Sequence, residues 1–164
     1  MSESPSHPSR ALLPLAVFTL AAVRAVPGLV EGWQTDVYAR GGLVAFVIWV
    51  VPAVYRVARP STGRGTGFLW MLLALLAGVA GAGTSMRVLD NISLACAVAA
   101  IARPRDLQLL WAPLCVSWMI ASGWFISRLK GGGLTGWERP ALAALGTLMF
   151  FLLDGRRLRS FFSR

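Results

Sequence analysis

The sequence predicts an all-α protein, a polytopic transmembrane helical bundle of about six helices. Three observations predict it. Hydrophobic residues make up 56% of the chain and charged residues only 14%, where an ordinary soluble domain holds about 45–50% and about 25%. The excess is gathered into long runs, most of them without the polar face that a soluble core helix shows. Between the runs stand short arginine-bearing segments, and several of the seven tryptophans lie near run ends, the usual place of interfacial anchors.

Residues 1–10, rich in Ser and Pro, read as a disordered cytoplasmic tail. The first apolar run starts at Ala11, meets Arg24 and continues to Val30. It is expected as an uncleaved helix over 11–30, because Arg24 spoils the small-residue pattern of a signal-peptide cleavage site. The second span is expected over 42–58, with Arg56 and Arg59 closing it and Pro52 as a kink. Residues 61–66 have the composition of a loop. A third span, 67–83, carries Ala74, Gly78 and Ala82 at four-residue spacing, a candidate helix-packing face of small residues. The fourth, 88–102, is alanine-rich, with Arg87, Asp90, Asn91 and Ser93 crowding its start. The fifth, 107–127, is the clearest: 21 residues without a formal charge, enough to cross a hydrocarbon layer about 30 Å thick. The last run, 141–153, attains a plausible spanning length when extended back to 137, with Glu138 and Arg139 at the interface. The helical domain thus covers 11–155, and residues 156–164 read as a basic cytoplasmic tail.

Orientation follows from the basic residues. With six helices, one side of the membrane holds Arg10, Arg56, Arg59, Arg64, Arg103, Arg105, Arg156, Arg157, Arg159 and Arg164. The other holds Arg24, Arg40, Arg87, Arg128, Lys130 and Arg139, together with Glu31, Asp36, Asp90 and Glu138. Ten against six places both termini in the cytoplasm of a cell whose inner (plasma) membrane the chain spans. The expected partners are therefore the lipid bilayer, its anionic headgroups included, and a second membrane protein. A net charge of +9 would suggest nucleic acid in a soluble protein. Here the arginines flank apolar runs, and no nucleic-acid partner is expected.

Charges near a bilayer ask for an explanation. Arg24 sits late in the first helix; it either snorkels to the outer headgroups or pairs with a carboxylate such as Asp90. Glu31, Asp36, Tyr38 and Arg40 fall in the first outer segment, and Arg87, Asp90 and Asn91 in the next, on the same side. With Arg24 they form a candidate outer-face polar cluster able to receive a peptide or a lipid headgroup, or else a set of solvated interface charges. Catalysis finds less support. Cys96 and Cys115 lie in apolar runs without the positioned base that a nucleophile needs, and the single histidine is His7. No metal-ligand spacing is present. Gly63, Gly65 and Gly67 lack the Lys-Ser/Thr pair of a phosphate loop. No catalytic, cofactor or metal residue is assigned, and no cofactor is expected. A transporter would favour ionisable groups at mid-membrane depth, and no predicted span centre holds one.

From Trp33 through Asp36 to Tyr38-Ala39-Arg40-Gly41-Gly42-Leu43-Val44, then Tyr55-Arg56, the Gly-rich third helix, Leu89-Asp90-Asn91-Ile92-Ser93-Leu94 and the long apolar run after Leu107, the order of features resembles the N-terminal half of the exosortase/archaeosortase family. The resemblance covers about 33–127. Where that family has a Tyr-Ser-His-Gly-like segment, this chain has Tyr38-Ala39-Arg40-Gly41. Exosortases are membrane transpeptidases or proteases that process the C-terminal sorting signals of exported proteins, through a Cys, an Arg and a His in later helices. This chain has no histidine after His7 and no cysteine in a matching motif, so no catalytic residue carries over. The resemblance implies a truncated, non-catalytic relative, an accessory or scaffold in surface-protein export. The alternatives are an exosortase-like peptidase half completed by a partner chain, and a small transporter or lipid-handling subunit.

Overall fold

Helices account for all the regular structure among the described residues. A computed structural model of the chain describes residues 9–36, 39–58, 66–122, 128 and 136–162, with side-chain detail between 13 and 154. The elements are α1 (Ser9–Thr35), α2 (Gly42–Ala58), α3 (Gly67–Thr84), α4 (Arg87–Ala102), a 3₁₀ helix (Asp106–Ser117) and α5 (Glu138–Phe162). Two of them, the Leu13–Thr35 portion of α1 and all of α3, are long and apolar enough to cross a membrane; α2 is apolar but shorter.

Contacts sort the element ends into two groups. At one end of the bundle, Arg24 and Glu31 of α1 meet Asp90 and Arg87 of α4. There too, Trp33 reaches the end of the 3₁₀ helix, as does Arg139 of α5. At the opposite end, the Thr66 hydroxyl donates to the Pro104 carbonyl (2.8 Å), and Arg56 of α2 meets Asp154 of α5 (2.8 Å). Successive elements therefore run antiparallel.

Each helix buries one stripe. In α1 it is Val17, Ala21, Ala25 and Leu29 at four-residue spacing; in α2 it is Gly42, Ala45, Trp49 and Ala53. α2 runs unbroken through Pro52, which is buried. α4 is buried almost throughout, from Ser93 to Ala100. α3 has the opposite character: Phe68, Leu69, Leu72, Leu73, Leu76 and Val79 all point outward and are at least 39% exposed. The leucine-rich helix lies outside and the alanine-rich helix inside, the reverse of the order that water imposes.

Local chemistry sets the ends. Ser85 (φ 56°) and Arg103 (φ 48°) close α3 and α4 in the left-handed conformation. The Arg103 N–H donates to the Ala99 carbonyl (2.9 Å), and Pro104 then prevents continuation. Gly41 adopts φ 77° where its backbone meets Gly136; a side chain there would collide with the Gly136 carbonyl.

The structure corrects several boundaries. The expected single helix over 107–127 is instead a 3₁₀ helix ending at Ser117, a break at Trp118 and Met119, and a new helical turn at 120–122; residues 123–127 lie outside the described set. The winding has a visible cause. Gln108, Trp111, Leu114 and Ser117 lie three apart, and all are buried or half-buried. A 3₁₀ helix with three residues per turn keeps them on one face, whereas an α-helix would rotate the last about 180° from the first. Pro113 also withholds one N–H from any α-helical ladder. α1 begins at Ser9 and extends to Thr35, so the last two residues of the expected disordered tail are helical. α5 continues to Phe162, so much of the expected 156–164 tail is helical as well.

Candidate functional site

The small-residue face of α3 determines what α4 can place against it. Ala74 is 1% exposed, and its carbonyl accepts from the buried Ser93 hydroxyl (2.8 Å). A Cβ on Gly78 would lie 3.1 Å from that Ser93 oxygen. The third member is Gly81 rather than Ala82: Gly81 is buried and Ala82 exposed. Helical geometry explains the correction. At about 100° per residue, four-residue steps drift by 40° each, so position 82 has turned away while position 81 has returned to the seam.

Gly81 makes room for Asp90. An ideal Cβ there would stand 2.7 Å from Asp90 Oδ1 and 3.3 Å from the Asp90 amide nitrogen. The same carboxylate accepts from Arg24 Nε at 3.0 Å. Asp90 lies in the first turn of α4, where the helix dipole favours an anion. Arg24 thus pairs with Asp90 rather than only snorkelling, although its side chain keeps 39% exposure against 12% for Asp90. One carboxylate ties α1, α3 and α4 together.

Beside this pair two adjoining cavities open, of about 330 and 350 Å³. Arg87, Glu31, Asn91, Gly28 and Ile120 line both; Arg24 and Asp90 line the first, Thr35 and Asp36 the second. Arg87 and Glu31 meet at 3.5 Å with side chains 78% and 64% exposed, a geometry that contributes little to stability. Asn91 is buried at 6% exposure. Six of the eight residues of the expected outer-face cluster are therefore brought together: Arg24, Glu31, Asp36, Arg87, Asp90 and Asn91. Arg40 is not among them; it lies against Gly136 at the turn into α5. Tyr38 lies outside the described residues.

Two polar clusters escaped sequence reasoning. Arg139, expected at the interface, is 1% exposed. Its Nη1 donates to the Ser117 (3.1 Å) and Met119 (3.0 Å) carbonyls, while Trp33 Nε1 donates to the Trp118 carbonyl between them (3.0 Å). These are carbonyls that the end of a helix leaves without intrahelical partners. The charge of Asp36 acts on the same guanidinium. A signal existed: Arg139 lies in the first turn of α5, where the helix dipole disfavours a cation, so it needed acceptors elsewhere. At the opposite end Arg56 pairs with Asp154, and Gln108 Nε2 reaches the Phe150 carbonyl (3.2 Å) and Asp154 Oδ1 (3.3 Å). Asp154, one carboxylate ahead of four arginines in the C-terminal segment, was the available clue.

Between the clusters the interior is aromatic. Trp49 and Trp111 stack at 4.5 Å with 9° between planes, and each indole N–H donates to the other residue's carbonyl at 3.2 Å. Cys96 and Cys115 are free thiols, the first buried and the second half-buried. Among the described residues no group of three or more His, Cys, Asp or Glu is placed to hold a metal ion.

No protein-family model matches the chain, and neither a curated protein nor a solved structure matches it.

Proposed function

We propose that the chain is a six-crossing membrane protein with both ends in the cytoplasm, acting by binding rather than by covalent catalysis, as an accessory or scaffold in surface-protein export. The observation that carries the membrane reading is the inverted packing. Leucine, valine and phenylalanine coat the outside of α3, while alanine fills the buried α4. Lipid accepts such a surface at no cost, and small residues let helices approach where no water drives them together. The antiparallel order of the six elements supports six crossings. The 3₁₀ helix is our candidate for the fifth: at about 2.0 Å per residue its 12 residues extend about 24 Å, most of a hydrocarbon layer about 30 Å thick. The arginine excess supports the orientation.

The binding reading rests on the charged cavity between α1 and α4. The export role rests on the resemblance over 33–127. Its test removes the chain from its cell and follows surface display of exported proteins that carry C-terminal sorting signals. Display falls on removal, and a chain with both Cys96→Ala and Cys115→Ala restores it in full. A folded double variant that fails to restore display would point to thiol chemistry and the split-enzyme alternative. Unchanged display on removal would end the export role.

A further inference from the structure

We propose that the cavity between α1 and α4 holds the headgroup of a glycerophospholipid bearing a primary ammonium, an ethanolamine lipid of the outer leaflet. The inference rests on the membrane-spanning reading above and narrows its ligand.

The cavity walls select both charges of such a headgroup. Arg24 is committed to Asp90 at 3.0 Å, but Arg87 and Glu31 make only a long, exposed contact of 3.5 Å. A zwitterion can enter that contact with partners exchanged: its phosphate takes the Arg87 guanidinium, and its ammonium takes Glu31. Both new contacts are charge-assisted hydrogen bonds, two in place of one long pair. Asp36, Thr35 and Asn91 line the same space and offer further acceptors to an ammonium that carries three donors.

The same walls disfavour the other common headgroups. A quaternary ammonium has no donor and is recognised by aromatic faces, and no Trp, Tyr or Phe lines either cavity among the described residues. A purely anionic headgroup finds Arg87 alone, since Arg24 is committed to Asp90, and taking Arg87 leaves the Glu31 carboxylate without a counter-charge. The surface of α1 supplies a track for the acyl chains. Leu20 (59% exposed) and Leu13 (54% exposed) share the helix face of Arg24, one turn and three turns toward the N-terminal end of α1. A charged notch above an outward leucine stripe suits a lipid better than a peptide.

The full chain is reconstituted in vesicles of equal parts phosphatidylethanolamine, phosphatidylcholine and phosphatidylglycerol, extracted in mild detergent and weighed with its retained lipid by native mass spectrometry. Phosphatidylethanolamine is retained over each of the others by about fivefold, the size of one charge-assisted contact at a partly exposed site. The Glu31→Gln, Arg87→Gln double variant loses the preference; both side chains are exposed, so folding is spared. Gly28→Leu, which fills the cavity floor without altering charge, loses the retention. Equal retention of all three lipids, or a preference that survives both variants, overturns the proposal. Displacement by free glycerophosphoethanolamine overturns the choice of a lipid over a soluble ligand. A chain that does not float with the vesicles overturns the membrane reading and this one together; insertion without preference overturns this one alone.

Discussion

Replacing Gly81 by alanine tests whether a single missing methyl group positions the Asp90 carboxylate. The new Cβ would stand 2.7 Å from Asp90 Oδ1, 3.3 Å from the Asp90 nitrogen and 3.3 Å from Leu89 Cβ. The carboxylate must swing away, which breaks its 3.0 Å bond to Arg24. A hydrogen bond to a charged group contributes about 1.5–3 kcal/mol. Arg24 is 39% exposed, so screening brings the loss to about 1–2 kcal/mol. Alanine in place of glycine inside a helix returns about 0.5–1 kcal/mol. Gly81→Ala alone should therefore destabilise by about 0.5–1 kcal/mol. In an Asp90→Ala background there is no carboxylate to displace, and the same change should be neutral or stabilising by up to about 0.5 kcal/mol. The assay is a double-mutant cycle, with equilibrium unfolding in mixed micelles followed by tryptophan fluorescence. A coupling of about 0.5–1.5 kcal/mol is expected; additivity within about 0.3 kcal/mol refutes the reasoning.

Three further outcomes follow from the packing. Gly78→Leu should destabilise by about 1–3 kcal/mol through overpacking against Ser93, whereas Ala82→Leu, on the outward side, should change the midpoint of the same unfolding curve little. Trp111→Ala removes a stacked, doubly hydrogen-bonded side chain and should cost about 3–5 kcal/mol, with loss of the near-ultraviolet circular dichroism of the coupled indoles. Arg139→Met leaves the Ser117 and Met119 carbonyls without their guanidinium; amide exchange should accelerate at residues 116–122 while protection of α3 and α4 is retained.

Apolar runs were the most legible part of the sequence, because a long apolar stretch bounded by charges, Gly or Pro marks a helix by its length. The bounds of α2 appear in the sequence as 42–58, and those of α3 and α4 to within one residue. The fifth segment was not legible as a 3₁₀ helix. Its cue is the three-residue spacing of Gln108, Trp111, Leu114 and Ser117, which a search at 3.6 residues per turn smears out. Most of the candidate cluster was legible from its charges, with Asn91 added as a polar neighbour: residues 24, 31, 36, 87, 90 and 91 line adjoining cavities because the antiparallel turn between α3 and α4 returns the chain to the end of α1. Arg40 was grouped with them by proximity in sequence, but the turn at Gly41 carries it toward Gly136 instead. The Arg56–Asp154 pair joins residues far apart in sequence, and nothing local in either segment marks the other as its partner.

The most direct test of the central claim is which side of the membrane each end of the bundle occupies. In a chain with both native cysteines replaced by alanine, Thr35→Cys, Met86→Cys and Ala58→Cys each place one thiol at an exposed position, the first two at one end of the bundle and the third at the other. An impermeant maleimide applied to right-side-out membrane vesicles should label Thr35→Cys and Met86→Cys at once, and Ala58→Cys only after the vesicles are permeabilised. Labelling of all three without permeabilisation, or of Ala58→Cys alone, contradicts the account.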